Sequence, residues 1–282
     1  MNGIILINKE KQLTSHDVIY KLRKILKTKR VGHCGTLDPE ATGVLVCLIG
    51  KATKLSNYLI LDSKEYYATF KLGLATTTQD LTGEIVAEKG YQNDLSREDI
   101  KKVLTQYQGQ QKQTPSIYSA IKVNGKKLYE YARNNEEVVI PTRDITVFEL
   151  ELLDFKADLV SIRVSCSSGT YIRTLCYDIA KSLNYPGVLC DLKRTKSGSF
   201  NIEASYTLAQ IEANEYQLLS MQEALQDYPQ VELNAEEYQA VRNGQPLECH
   251  QEQDFIVIYD NEVQAIYEKT KDGQAKMKRG LW

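Results

Sequence analysis

The chain has 282 residues, of which 42% are hydrophobic and 26% charged, with a formal net charge of −2. This composition is ordinary for a globular protein with one large domain and room for a small appendage. No apolar run is long enough to span a bilayer, and the first residues lack the basic leader of a secretory signal. We therefore expect a cytoplasmic protein that does not bind membranes.

The hydrophobic pattern predicts secondary structure along the whole chain. In chain order, the predicted elements are a strand at Ile4–Ile7, a helix that begins after Thr14 and buries Val18, Ile19, Leu22, Ile25 and Leu26, a strand at Val44–Ile49, a helix at Lys51–Leu61, a strand at Tyr66–Leu72 with a partner at Glu84–Ala87, a helix at Ser96–Tyr107, a hairpin within Ile145–Val164, a helix at Gly169–Leu183 and a strand at Phe255–Tyr259.

Antiparallel strand pairs mixed with helices, without regular β-α-β alternation, indicate an α+β fold. We expect a mixed, largely antiparallel sheet flanked by helices. The charge balance changes near residue 200, and Pro229 precedes a segment with its own predicted strand. These features predict a main domain at residues 1–228 and a small β-rich module at residues 229–282.

Charge is unevenly distributed. Residues 9–30 contain eight Lys and Arg against two acidic residues, whereas residues 201–264 contain thirteen acidic residues against one arginine. A chain that is basic outside an acidic segment at residues 201–264 is compatible with a surface that binds phosphates, because the local field governs such binding more than the net charge does. The alternative is a solvated face with scattered lysines.

The six cysteines form no CxxC pair, and the three histidines show no zinc-ligand spacing. We therefore expect reduced thiols and no metal site. Cys34 is interpreted as a spacer in its loop and not as a nucleophile.

The most informative stretch is Gly32–Gly43, with the sequence Gly-His-Cys-Gly-Thr-Leu-Asp-Pro-Glu-Ala-Thr-Gly. Three glycines and a proline predict a shaped loop without regular structure, which presents Asp38. By chemistry alone, Asp38 is either an ordinary turn residue or a functional carboxylate.

This run resembles the catalytic motif of the bacterial tRNA pseudouridine-55 synthases. The resemblance extends from about residue 3 to 210 and includes four further segments: Lys64–Tyr67, residues 115–133, Cys166–Thr174 and Val188–Thr195. It implies the pseudouridine synthase fold and the isomerisation of uridine 55 in the T arm of tRNA. It also implies that Asp38 is the catalytic carboxylate. The C-terminal stretch resembles the family's RNA-binding, PUA-like appendage only weakly.

The resemblance assigns further residues to the site. Tyr66 and Arg173 join Asp38 as catalytic residues, and a guanidinium beside a carboxylate favours its ionised form and fixes its orientation. Residues expected to contact the substrate are His33, Lys9, Asp80, Tyr171 and Leu192. The match around Asp80 is looser, because Thr77 stands where the family has an aspartate. Without the resemblance, Arg173 would be expected on a solvated helix face and Tyr66 on the face of a sheet.

Two basic segments are expected to bind RNA. One is residues 117–143, a polar insertion suited to binding RNA. The other, called the first segment, lies within residues 9–30, where three basic residues spaced three positions apart are predicted to share one flank of a helix. The residues concerned are Lys122, Lys126, Lys127 and Arg133 in the insertion, and Lys24, Lys27 and Arg30 in the first segment.

The expected reaction involves no net redox change or hydrolysis, so we expect no cofactor and no metal, and nothing indicates an obligate protein partner. The carboxylate can attack C1′ of the ribose or remove a proton from C2′, and the sequence does not distinguish these routes. Two alternatives remain open. One is a noncatalytic protein that binds or folds tRNA on the same scaffold, and the other is an N-glycosidase that hydrolyses nucleosides.

Overall fold

The computed structural model describes residues 1–59, 63–248, 251–270 and 273–282. The strands are β1 Gly3–Lys9, β2 Val31–Cys34, β3 Thr42–Ile49, β4 Ser63–Leu72, β5 Leu74–Thr76, β6 Ile85–Glu88, β7 Gly109–Gln113, β8 Lys122–Val123, β9 Lys126–Lys127, β10 Arg143–Lys156, β11 Leu159–Ser167, β12 Gly187–Ser197, β13 Phe200–Asn201, β14 Gln230–Glu232, β15 Leu247–Glu248, β16 Phe255–Tyr259, β17 Glu262–Lys269 and β18 Gln274–Gly280. The helices are α1 Ser15–Ile25, α2 Arg97–Gln106, α3 Leu128–Arg133, α4 Ile172–Ser182, α5 Leu208–Glu212, α6 Met221–Ala224 and α7 Ala235–Arg242, with 3₁₀ turns at Gly50–Leu55 and Ile202–Ala204.

The first helix forms where the sequence predicts it. Thr14 caps α1: its hydroxyl accepts a hydrogen bond from the Asp17 amide at 3.0 Å, and the Asp17 carboxylate accepts one from the Thr14 amide at 2.9 Å. This reciprocal pair satisfies two amides that have no partner inside the helix. Val18, Ile19 and Leu22 are buried on the side of α1 that faces the sheet.

The main sheet is mixed and largely antiparallel, which confirms the predicted fold class. Its strands run in the order β1-β3-β12-β4-β11-β10-β7, with β2 paired to β3 and β13 to β12, nine strands among the described residues. The strands β3 and β12 meet in parallel over only two residue pairs, Thr42 with Lys193 and Gly43 with Arg194. Helices α2 and α4 cover one face, where Ile100, Leu104 and Ile179 lie in the main core.

Several predicted elements differ from the structure. Ile85–Glu88 does not pair with β4 but with Leu74–Thr76, because β4 lies inside the sheet between β11 and β12. Regular structure also enters the motif: Val31–Cys34 forms β2, and β3 already begins at Thr42. The predicted helix at Lys51–Leu61 is a 3₁₀ turn over Gly50–Leu55, and its last two residues lie outside the described ranges. The five described cysteines are free thiols, while Cys249 is not among the described residues.

A second sheet follows the main one, in the order β14-β16-β17-β18-β15. One face encloses a small core with α7 that includes Val241, Phe255 and Tyr267, while residues from the other face share a core with β1 and β3 of the main sheet. The residues of this shared core that come from the second sheet are Ile256, Ile258, Val263 and Ile266. The division at residue 228 stays a prediction. No helix in the described part of the chain is both long and apolar enough to cross a membrane.

Gly43 occupies a position that no other residue fits. Its φ is +103°, and a Cβ there would lie 2.1 Å from the carbonyl oxygen and 2.7 Å from the amide nitrogen of Arg194. Backbone atoms cannot rotate away as a side chain can. The glycine therefore permits the short parallel contact between β3 and β12.

We expect Gly43→Ala to lower the free energy of unfolding by about 1–3 kcal/mol, because the backbone must shift and the residue is strained at positive φ. A Cβ at Gly90 would meet no atom within 4 Å, so Gly90→Ala is the matched control. The control should change stability by less than about 0.5 kcal/mol. Equal urea-unfolding midpoints for the two variants would contradict this account of Gly43.

Candidate active site

A cavity of about 1000 Å³ opens where five parts of the chain meet. They are the Gly32–Gly43 motif loop, β4, β12, the insertion at residues 117–143 and the start of α4. Most of the side chains predicted to act on the substrate line it. Those lining the cavity are His33, Asp38, Tyr66, Asp80, Tyr171, Arg173 and Leu192. Their roles in the reaction stay predictions, whereas their convergence on one cavity is a property of the fold.

Asp38 and Arg173 form the predicted ion pair. The Nε atom of Arg173 lies 3.0 Å from Oδ2 of Asp38. The arginine side chain is 8% exposed and the aspartate side chain 44% exposed. The carboxylate therefore faces the cavity, and the guanidinium lies buried behind the carboxylate. The buried partner fixes the carboxylate in one orientation and leaves part of it open to a ligand.

The remaining contacts of Arg173 reach two other segments. Its Nη1 donates to the Thr78 carbonyl at 2.8 Å and lies 3.3 Å from the Asp80 carboxylate, and Nη2 donates to the Tyr118 carbonyl at 3.1 Å. Asp80 is held in turn by the Thr78 hydroxyl at 2.7 Å and the Thr82 amide at 3.0 Å. One guanidinium thus connects the motif loop, the turn before β6 and the start of the insertion.

Tyr66 and Tyr171 present largely buried rings to the cavity. Tyr66 is 7% exposed, while its neighbour Tyr67, on the opposite face of β4, is 45% exposed, as the alternation of a strand requires. Burial raises the pKa of both the Tyr66 and the Tyr171 hydroxyls. Tyr171 is fixed through its backbone: its amide donates to Gln113 at 2.8 Å, and its carbonyl accepts from Gln113 at 3.0 Å.

His33 lies on β2 at the cavity wall. Burial lowers the pKa of its imidazole, and the positive charge of Arg194 lowers it further. The Nδ1 atom is buried without a hydrogen-bond partner in the described part of the chain. The lowered pKa favours the neutral imidazole at this wall.

Among the residues predicted to contact the substrate, Lys9 lies outside the cavity lining. Lys9 is 1% exposed and does not line the cavity; its Nζ donates to the carbonyls of Glu10 at 2.9 Å, Leu13 at 2.7 Å and Pro39 at 3.0 Å. Because an ammonium has three protons, these bonds leave none for a ligand. Lys9 instead supports the motif loop from below, where Ser15 also bonds the amide and carbonyl of Leu37 at 2.9 and 3.1 Å.

The first basic segment differs from the prediction in its geometry, and the four basic residues of the insertion do not all reach the cavity. Lys24, Lys27 and Arg30 are exposed but do not share a helical flank, because α1 ends at Ile25 and Lys27 has a φ of +50°. In the insertion, Lys122, Lys127 and Arg133 line the cavity. Lys126 does not, because it is paired with Glu136 at 2.6 Å and lies over the Tyr131 ring.

Sequence reasoning gave no role to two basic residues at the site. Lys64 lines the cavity with its Nζ 3.3 Å from the Ser168 hydroxyl, and burial lowers its pKa. Arg194 is completely buried beneath the motif loop and donates to the carbonyls of Val44, Gly35 and Thr36. Both residues lie in segments that resemble the family, but nothing in the local pattern shows that their side chains turn inward.

Two family models together match residues 23–228. The model described as TruB family pseudouridylate synthase, N-terminal domain, matches residues 23–172, and that described as tRNA pseudouridylate synthase B C-terminal domain matches residues 173–228.

Curated relatives match nearly the whole chain. The tRNA pseudouridine synthase B of Bacillus cytotoxicus is 42% identical over 95% of this chain and 92% of its own length. The protein of the same name from Oceanobacillus iheyensis is 43% identical over 99% of this chain and 96% of its own length. Among solved structures, a chain of a Cbf5-Nop10-Gar1 complex superposes with a TM-score of 0.75 at 23% identity, covering 99% of this chain and 85% of that chain. This last likeness shows the fold alone.

The environment of Lys9 gives a prediction about its titration. Burial lowers the pKa of its ammonium from 10.5 to about 8, since the charged form loses hydration. Above this pH the neutral amine has two N–H donors for three carbonyls. We expect one lysine ε-carbon resonance of the ¹³C-labelled protein to titrate with a midpoint near pH 8, and to be absent from Lys9→Met. Lysine resonances that all titrate above pH 10 would contradict this prediction.

Proposed function

The chain belongs to the TruB family of pseudouridylate synthases, and we propose that it converts uridine 55 in the T arm of tRNA to pseudouridine with Asp38 as the catalytic carboxylate. The chain is an enzyme that isomerises uridine in tRNA. The choice of the T arm and the roles of individual residues are the proposal. The observation that supports it most directly is the Asp38 carboxylate, held by buried Arg173 and open to the cavity.

The reaction exchanges one bond to the ribose for another. The bond between C1′ and N1 of uracil breaks, the base rotates, and a bond forms between C1′ and C5. The proton on C5 leaves and N1 gains one, so the atoms and charge balance without an oxidant or water. Asp38 either attacks C1′ to form a covalent intermediate or removes the C2′ proton. In both routes, Arg173 keeps the reacting carboxylate oriented toward the sugar.

The base is expected to enter the cavity after leaving its stack, because an enzyme cannot reach these atoms inside a folded loop. Tyr66 and Leu192 line the wall that faces it. Burial raises the pKa of the Tyr66 hydroxyl and so favours its protonated form before the substrate binds, and the Tyr66 ring serves first as a stacking surface. Its hydroxyl can then help to remove the C5 proton once C1′ and C5 are joined.

The RNA backbone is expected to follow the two basic segments. Lys122, Lys127 and Arg133 lie at the cavity, where Lys127 and Arg133 both lie over the Tyr129 ring at 5.3 Å. Lys24, Lys27 and Arg30 lie near the far end of α1, which is about 16 Å long for eleven residues at about 1.5 Å each. An RNA that contacts both segments extends well beyond a single nucleotide, as the stem of a T arm does.

Two other functions make different predictions for the same assay. A noncatalytic protein that binds or folds tRNA leaves the C5 hydrogen in place, and an N-glycosidase releases free uracil without exchanging that hydrogen. Release of tritium from tRNA labelled at uridine C5, with the base retained, occurs only on isomerisation. A transcript with cytidine in place of uridine 55 should release none from that position.

We expect Asp38→Asn to abolish tritium release while tRNA affinity stays within about threefold of the parent, because the loss of a negative charge does not weaken binding to an anion. Glu40→Gln is the matched control: it removes the same charge two residues along the same loop and also lines the cavity. The control should retain turnover. Measurable turnover by purified Asp38→Asn would remove Asp38 from the reaction.

The insertion offers a matched pair of lysines. We expect Lys127→Gln to raise KM for tRNA several-fold and to reduce the salt dependence of binding, with kcat at saturation nearly unchanged. Lys126→Gln should change neither quantity much, because Glu136 already neutralises Lys126. Filter binding at several salt concentrations measures both slopes. Equal slopes for the two variants would contradict the proposed contact of Lys127 with RNA.

A further inference from the structure

Arg194 on β12 is a buried cation that has no role in the proposed reaction steps. Its residue exposure is 0%. The guanidinium donates from Nε to the Val44 carbonyl at 2.9 Å, from Nη2 to Gly35 at 3.0 Å and from Nη1 to Thr36 at 3.4 Å. Within the described ranges it forms no ion pair with a carboxylate. A buried charge without a counter-charge is unfavourable, so we expect Arg194 to have a role beyond packing.

Two glycines of the motif loop lie against Arg194. Gly35 has a φ of +77°, and a Cβ there would lie 3.5 Å from Nη1 of Arg194 and 3.2 Å from Nζ of Lys64. Gly43, at the other end of the loop, contacts the Arg194 backbone. The loop that contains Asp38 is therefore attached to Arg194 at both ends, by its side chain at Gly35 and Thr36 and by its main chain at Gly43.

Arg194 also lies directly opposite Tyr66 in the pairing of β12 with β4. Burial raises the pKa of the Tyr66 hydroxyl, and the charge and a side-chain hydrogen bond of Arg194 oppose that rise. Other groups facing Tyr66 act in the opposite direction: the Cys166 thiol and the Asp38 carboxylate both raise the pKa. The guanidinium is thus the group that favours the ionised phenol in this environment.

We infer that Arg194 is a positioning residue for the isomerisation, which holds the Asp38 loop through the Gly35 and Thr36 carbonyls and polarises the hydroxyl of Tyr66 from the same guanidinium. The inference rests on the proposed function. Asp38 acts at the sugar and Tyr66 faces the base, so one rigid group beneath both sets their relative placement. A lysine would keep the charge but could not bond three separate carbonyls from one fixed plane.

Two substitutions separate the two effects of the guanidinium. Arg194→Lys removes the planar set of guanidinium donors but keeps a positive charge. Arg194→Met removes both the donors and the charge. The matched control is Arg163→Lys, on β11 of the same sheet, whose guanidinium is partly exposed and paired with Glu65, Glu149 and Glu151 at 3.0–3.1 Å. Steady-state tritium release from tRNA gives kcat and KM, and circular dichroism with thermal unfolding reports the fold.

We expect folded Arg194→Lys to lose at least about 100-fold in kcat, because a small displacement of a reacting group has an effect of this size. KM for tRNA should stay within about threefold, since Arg194 is completely buried and does not line the cavity. Arg163→Lys should keep the parental kcat.

The second readout is the titration of 3-fluorotyrosine incorporated at position 66, followed by ¹⁹F NMR in the full-length chain. Removing the cation that opposes the rise of the Tyr66 pKa should raise that pKa by about one unit or more in Arg194→Met, and Arg194→Lys should move it less. If the Arg194 guanidinium did not act on the Tyr66 hydroxyl, this titration would be unchanged in any folded variant. If Arg194→Met does not fold, the kcat of Arg194→Lys alone tests the inference.

Parental kcat in Arg194→Lys, or an unmoved titration in folded Arg194→Met, would overturn the inference. Failure of both variants to fold would also overturn it, because Arg194 would then belong to the core alone. An inactive parent protein would count against the proposed function instead, and that outcome is visible before any variant is compared.

Discussion

The Arg173 guanidinium, buried at the first turn of α4, is the group on which the geometry of the site depends. It meets Asp38 in the motif loop, Thr78 and Asp80 before β6, and Tyr118 in the insertion. These segments are far apart in sequence, and each is irregular, so none can fix the others through regular hydrogen bonding. Because its donors lie in one rigid plane, the guanidinium imposes a single arrangement on all of them.

The support beneath the motif loop is built from buried cations bonded to carbonyl groups. Lys9 bonds the Pro39 carbonyl, and Arg194 bonds those of Gly35 and Thr36. These cations also give the interior of the site a positive character, and the charge of Arg194 lowers the pKa of His33 and Lys64 in addition to the effect of burial. A positive interior suits an anionic polynucleotide. It also explains how a chain with a net charge of −2 can bind RNA, since thirteen of its acidic residues lie in residues 201–264.

Local sequence patterns predicted the parts of the fold that depend on local forces. The capping box of α1 and the limits of α2 follow from residues within one turn of each other, and both are present. The partner of β4 was predicted wrongly, because pairing depends on which distant strand, β11 or β12, reaches its edge. The ion pair of Asp38 with Arg173 was predicted only through the family resemblance, since the two residues are 135 positions apart by number. The burial of Lys9 was not predicted and Arg194 was missed, because the periodicity of a short strand does not reveal that a long basic side chain is buried against carbonyls.

The strand β3 connects the site with the C-terminal sheet. Its residues alternate between two cores: Leu45, Cys47 and Ile49 pack in the main core, and Val44, Val46 and Leu48 pack against residues of the second sheet. A strand buried on both faces has little freedom to move. The motif loop enters β3 at Thr42, and the Val44 carbonyl accepts the bond from Arg194. The second sheet therefore stabilises the strand from which the Asp38 loop is held, even though its own residues lie outside the cavity lining.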